Sequence, residues 1–187
     1  VLHGPTRAYG GTFLQFSAAM AAALALPLSY APQIAAAVTA APRLPVIWLR
    51  GQGCGGDTRA FMQASDPTTA ELLLDLLSIE YHEAIMARSG ASAESARLEA
   101  IKAAPNGYVV VIEGAIPVDD GGVYCTVGGR AFSDVVREVC AGSLATIAIG
   151  SCAFDGGAPA AQGGSTGSVG VAQVVPDATL INLPGCP

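Results

Sequence analysis

The chain has 187 residues, with 15 acidic against 9 basic side chains and a net charge of −6, which excludes a protein that wraps nucleic acid, whose phosphates demand clustered Lys and Arg. Hydrophobic residues make up 51% and charged residues 13%, so disorder throughout is excluded. Five cysteines in this length are too sparse for a disulfide scaffold, and a mean hydropathy of +0.48 asks for an apolar lead, a large partner interface, or both.

The lead comes first in the chain. No charged side chain occurs from Ala8 to Pro42. Phe16 to Leu28 (FSAAMAAALALPL) is mostly apolar but too short to span a bilayer, and it suits a signal core with small residues following at Ala35–Ala37 and Ala40–Ala41. Gly10-Gly11-Thr12-Phe13-Leu14-Gln15 resembles a twin-arginine signal with Gly-Gly where both arginines belong; the nearest basic residue is Arg7. Residues 1–42 therefore read as a signal-like lead, or as an Ala-rich helix buried against a partner, and 43–187 as the folded domain.

Past Arg43 strands and helices alternate. Buried strands are predicted at Pro45–Leu49 (PVIWL), Tyr108–Ile112 (YVVVI), Thr146–Ile149 (TIAI) and Thr179–Leu183 (TLINL), with a weaker one near Leu77–Tyr81. Thr68 or Thr69 caps a short helix starting at Glu71. Ser92 opens a second helix running to about Ala103, before Pro105-Asn106-Gly107. A third covers Ala131–Ala141, with Phe132, Val135, Val136 and Val139 at helical spacing. This alternation predicts an α/β fold, a mostly parallel sheet with helices on both faces.

In such a sheet ligands bind beyond the carboxyl ends of the strands. Each strong strand leads there into a reactive or Gly-containing run: Gly51-Gln52-Gly53-Cys54-Gly55-Gly56-Asp57, Glu113-Gly114-Ala115-Ile116-Pro117, Gly150-Ser151-Cys152-Ala153 and Pro184-Gly185-Cys186-Pro187. Three cysteines thus gather at one edge from positions 98 and 34 residues apart. With Asp57 they could complete a tetrahedral zinc site. They could equally hold an iron–sulfur cluster, or be buried structural thiols. Nearby glycines, and Pro187 after Cys186, favour a cluster over zinc. A flavin site would use the same edge, but the first loop offers only Thr58 as a hydroxyl, and Gly51-x-Gly53 lacks the third glycine of a dinucleotide fingerprint.

Several of these runs resemble one family. Pro45 to Cys54 (PVIWLRGQGC) resembles the small subunit of nickel–iron hydrogenases around its first cluster ligand. So do Leu77–Glu83 (LSIEYHE), Val111–Pro117 (VIEGAIP), Val123–Gly129 (VYCTVGG), Gly150–Ala153 (GSCA) and Leu183–Pro187 (LPGCP), in the family's order. The resemblance implies a flavodoxin-like domain that docks on a nickel–iron large subunit and relays electrons from its dihydrogen site through a proximal iron–sulfur cluster, usually [4Fe–4S]. The hydrogenase is the oxidoreductase, and the small subunit itself carries no catalytic residue. Carried over position by position, the cluster ligands are Cys54, Asp57, Cys152 and Cys186. Gly53, Gly55 and Glu113 stand around them, Glu113 ordering the loops by accepting backbone N–H groups or, as the alternative, assisting proton movement.

The chain departs from the family's pattern in several places. The second ligand is usually Cys; Asp57 resembles the actinobacterial-type group, and a carboxylate there admits a [3Fe–4S] core as an alternative. Gly53 replaces a common Glu. Gly56 and Gly157 stand where oxygen-tolerant members carry extra cysteines. The family continues past the position of Cys186 into a second domain with further clusters, so a truncated, relay-incompetent remnant is the alternative reading, beside a flavin-binding domain. The resemblance implies export; the missing arginines oppose it, leaving a membrane-associated or cytoplasmic location and a membrane electron acceptor as a further partner. Cys140 reads as a buried apolar residue, Cys125 as a loop residue, and His82 and His3 as structural.

Overall fold

The computed structural model describes residues 11–23, 25–40, 42–161 and 164–187. His3, Arg7, Gly10 and Ala41, all weighed above, lie outside that set. The chain divides into two compact units: Val1–Arg43 with Gln63–Leu76, and Leu44–Met62 with Leu77–Pro187.

In the first unit, helices α1 (Gly11–Ala23) and α2 (Ala31–Ala40) are joined through a 3-10 turn at Leu28–Tyr30. Ser17, Ala21 and Ala31 are buried. Among the described residues, no helix is long and apolar enough to cross a membrane. The same unit holds the short helix α3 (Thr69–Glu71), capped by Thr68 and beginning two residues before the expected start at Glu71. The Glu71 N–H donates to Thr68 Oγ1 at 3.3 Å while the Thr68 N–H donates to Glu71 Oε2 at 2.9 Å, a reciprocal cap that satisfies two otherwise orphaned donors. A single π-helical turn, Leu72–Leu76, continues it.

The second unit is built on five strands: β1 (Leu44–Arg50), β2 (Leu77–His82), β3 (Val109–Glu113), β4 (Ala145–Ile149) and β5 (Leu180–Leu183). Their order is β2-β1-β3-β4-β5 and every pairing is parallel, the arrangement of a flavodoxin-like doubly wound sheet. Each predicted strand is present, with ends shifted by a residue or two. The central strands β1 and β3 are buried on both faces, so they read as nearly unbroken apolar runs rather than alternating ones.

One face packs Ile47, Leu49, Val110 and Ile112 against helices α5 (Ala91–Ala103) and α6 (Phe132–Cys140), which contribute Ala100, Phe132, Val135, Val136 and Val139. Burying each such large aliphatic or aromatic side chain contributes roughly 1.5–3 kcal/mol. On the other face Val46, Trp48 and Val111 meet Phe61 of helix α4 (Gly56–Met62), and the Trp48 and Phe61 rings lie 5.3 Å apart. Two further short helices, α7 (Gly150–Asp155) and α8 (Val171–Val174), complete the unit.

Strand register sets the position of the site. Arg50 of β1 pairs with Glu113 of β3, Glu113 with Ile149 of β4, and Ile149 with Leu183 of β5. The last residues of four strands therefore form one row across the sheet. Everything that follows them emerges along a single edge.

Candidate functional site

Main-chain bonds tie the emerging loops together. The Gly51 N–H donates to the Glu113 carbonyl at 2.7 Å, and Gln52 and Ala115 exchange bonds of 2.9 and 2.7 Å. On the other side of the cleft, Ser151 donates its N–H to the Gly185 carbonyl at 2.6 Å and its hydroxyl to the same oxygen at 2.9 Å. The two pairs of loops lean over one cleft lined by Gly53, Cys54, Asp57, Glu113, Cys152 and Cys186.

The cleft thus collects all four sequence-predicted ligands together with Gly53, Gly55 and Glu113. Cys54 precedes α4, Asp57 lies in its first turn, Cys152 lies in α7, and Cys186 follows β5. Close packing joins them. A Cβ placed on Gly56 would lie 3.1 Å from Cys54 Sγ and 3.2 Å from Pro187 Cγ, so the first and last loops touch there. Gly150 has φ +83°, and the Asp57 carboxylate fills the space a Cβ would need. Only glycine combines that backbone conformation with that neighbour.

All five cysteines are free, with Cys54 and Cys186 exposed and Cys152 partly so. Burial pushes the Cys152 thiol up, and the nearby Cys54, Cys186 and Asp57 push it further, against the N–H of Ala158, which lowers it. Burial also raises the Asp57 carboxyl, with the Glu113 charge adding to the effect. Groups that oppose one another's ionisation in this way are stabilised as anions by a cationic core. Among the described residues, no three or more His, Cys, Asp or Glu side chains close on one point as a single metal ion requires.

Beneath the cleft is a buried polar floor. Glu113 is 3% exposed. It accepts the Trp48 indole N–H at 3.1 Å, the Thr58 N–H at 3.2 Å and the Thr58 hydroxyl, and it forms an ion pair of 3.5 Å with Arg50 Nε. That Arg50 contact lacks hydrogen-bond geometry, and Arg50 Nε has no other partner. His82, fully buried, reaches Thr58 Oγ1 at 3.3 Å. The sequence assigned no role to Trp48, Arg50 or Ser151, and Thr58 stood out only as a hydroxyl for a flavin loop. One clue was available: Thr58 directly follows Asp57, where a hydroxyl can brace the start of a helix.

Cys140 is a core residue, with burial pushing its thiol up to about 11. Cys125 is half-buried against the core, and burial raises its thiol also.

A parallel doubly wound sheet with three thiols and a carboxylate gathered at its carboxyl edge defines the class: an α/β domain with a flavodoxin-like strand order. Residues 54–187 match the family model described as NADH ubiquinone oxidoreductase, 20 Kd subunit, and the chain belongs to that family. Its curated relatives are hydrogenase small chains. It is 41% identical over 175 residues to the Hydrogenase-2 small chain of Escherichia coli (strain K12), covering 94% of this chain and 47% of that one. It is 36% identical over 177 residues to the Periplasmic [NiFe] hydrogenase small subunit 1 of Nitratidesulfovibrio vulgaris, covering 94% of this chain and 56% of that one. Among solved structures, it superposes on the H2-activated [NiFeSe]-hydrogenase of Dm. baculatum with a TM-score of 0.75 at 37% identity, over 79% of this chain and 58% of that one. The chain spans about half the length of the curated relatives it matches.

Proposed function

We propose that this chain is the electron-transfer subunit of a nickel–iron hydrogenase, holding a proximal iron–sulfur cluster at the carboxyl edge of its sheet. The observation that carries the reading is that Cys54, Asp57, Cys152 and Cys186, far apart in sequence, line one cleft. Three thiols with one carboxylate fit a polynuclear core better than a single ion, since a core presents separate corners to ligands that do not meet at one point.

A bound cluster would accept and release single electrons. The chain's own residues would do the rest. Cys54, Cys152 and Cys186 would ligate as thiolates and Asp57 as a harder carboxylate, with [4Fe–4S] as the expected core and [3Fe–4S] the alternative. Gly53 and Gly55 would let the backbone come close, and Glu113 would hold the start of α4 in place. The expected partner is a nickel–iron large subunit over the cleft, with the dihydrogen site on that partner. A membrane acceptor is the expected onward destination, and the location is membrane-associated or cytoplasmic, with periplasmic export, which the family resemblance implies, as the alternative.

Anaerobic co-expression with a cognate large subunit tests this. The expected result is iron and acid-labile sulfide at about four each per chain, or about three iron to four sulfide. Iron-free protein, or protein carrying flavin, overturns it.

A further inference from the structure

The ligand set leaves two buried residues of the floor without a role. His82 ends β2 and is fully buried; Thr58 is 5% exposed in the first turn of α4. Neither packs there by apolar fit alone, because each buried polar group must find a partner. Their partners fix a direction. His82 Nδ1 accepts the Ala84 N–H at 3.2 Å, so the proton of the neutral ring sits on Nε2. Nε2 then donates across 3.3 Å to Thr58 Oγ1. With a lone pair taken, the Thr58 hydroxyl turns its own proton to Glu113 Oε2, while the Thr58 N–H donates to Oε1 at 3.2 Å. The string runs one way, from His82 through Thr58 to Glu113. The Trp48 ring lies tilted by 34° against the imidazole with centroids 5.0 Å apart and donates to the same carboxylate at 3.1 Å. The Thr58 hydroxyl therefore joins β2, α4 and β3, and β1 joins them at the Glu113 carboxylate.

We propose that His82 is a positioning residue: by fixing the Thr58 hydroxyl it fixes the first turn of α4, and so aims the neighbouring Asp57 carboxylate across the cleft at Gly150. The aim at a cluster rests on the function proposed above; the hold on the helix start does not. Both parts can be measured separately.

The experiment uses the full chain. In its cluster-free form, amide exchange at residues 57–59 reads the hold. His82→Gln places an amide nitrogen near Nε2 and keeps the donor to Thr58. His82→Asn places an oxygen near Nδ1, keeping the acceptor for Ala84 and losing that donor. The expected result is near wild-type protection in His82→Gln and a roughly three- to tenfold loss in His82→Asn, the range of one hydrogen bond. Thr58→Val should lose protection similarly and Thr58→Ser should restore it, a comparison that stands if His82→Asn fails to fold. Equal protection in all four variants, or Gln as damaging as Asn, overturns the proposal. In the loaded complex, the EPR line shape should be kept in His82→Gln and altered in His82→Asn. The expected exchange pattern in a chain that takes no iron would sink the cluster reading alone. A flat pattern with a normal cluster would sink the positioning role alone.

Discussion

Ser151 grips the carbonyl of Gly185 twice, once with its N–H and once with its hydroxyl, so the residue before Cys152 holds the residue before Cys186. The bond to the side chain is the removable one. Ser151→Ala should cost about 1 kcal/mol in urea denaturation and speed amide exchange in residues 184–187, while far-ultraviolet circular dichroism stays unchanged. No change in either would mean that the N–H alone sets that contact.

Gly150 should tolerate no side chain. Its φ of +83° and the Asp57 carboxylate at the Cβ position both oppose alanine. Gly150→Ala should lose roughly 1–3 kcal/mol of stability from backbone strain, and displace Asp57 as well. Iron retention should fall further than stability does, which separates damage to the cleft from general unfolding.

The Asp57 ligand is tested by exchange for the commoner one. Asp57→Cys should move the cluster's reduction potential and its EPR spectrum, because a thiolate is softer than a carboxylate. An unchanged potential together with an unchanged spectrum would show that Asp57 does not bind the core.

Glu113 accepts three hydrogen bonds and an ion pair while almost fully buried. Glu113→Gln keeps the shape but turns an amide NH2 toward donors. The expected loss is about 2 kcal/mol, with the Trp48 fluorescence spectrum shifted because its indole N–H loses its acceptor. A variant as stable as the wild type would show that the carboxylate charge contributes nothing.

His82 gives the pH dependence a sign. Burial, the largest effect, lowers its pKa from the ordinary 6.5; the Glu113 charge raises it, the Arg50 charge lowers it and a backbone hydrogen bond raises it, with the net direction downward. A base with a depressed folded pKa takes its proton more readily when unfolded. Its contribution to stability is therefore fully present above about pH 6.5 and is lost as pH falls below it. Thermal melts from pH 7.5 down to pH 5 should show this loss in the wild type and a shallower slope in His82→Gln. Parallel slopes would mean that another group carries the effect.

The sheet could be read from the chain because burial on both faces leaves continuous Val and Ile runs, such as Tyr108–Ile112, that no other element explains. Helix α6 was legible for the same reason, with Phe132, Val135, Val136 and Val139 on one stripe. Thr68 was legible as a cap, whereas Glu71, read as the helix start, proved to be the partner that closes the cap. Helices α4 and α7 were not legible. They have 7 and 6 residues, too few for a periodic stripe, and each opens on glycine, which disfavours helix. The four residues that line the cleft could be picked out from their glycine surroundings and from the family resemblance. The floor could not, because His82, Thr58 and Glu113 are joined only by tertiary contacts across strands distant in sequence.

The row formed by Arg50, Glu113, Ile149 and Leu183 also gives the outermost strand a share in the cleft. Leu183, the last residue of β5, stands in register with Ile149 of β4, and Cys186 follows three residues later. A substitution that loosens β5 from β4 would therefore withdraw one wall of the cleft while leaving Cys54, Asp57 and Cys152 on their own elements.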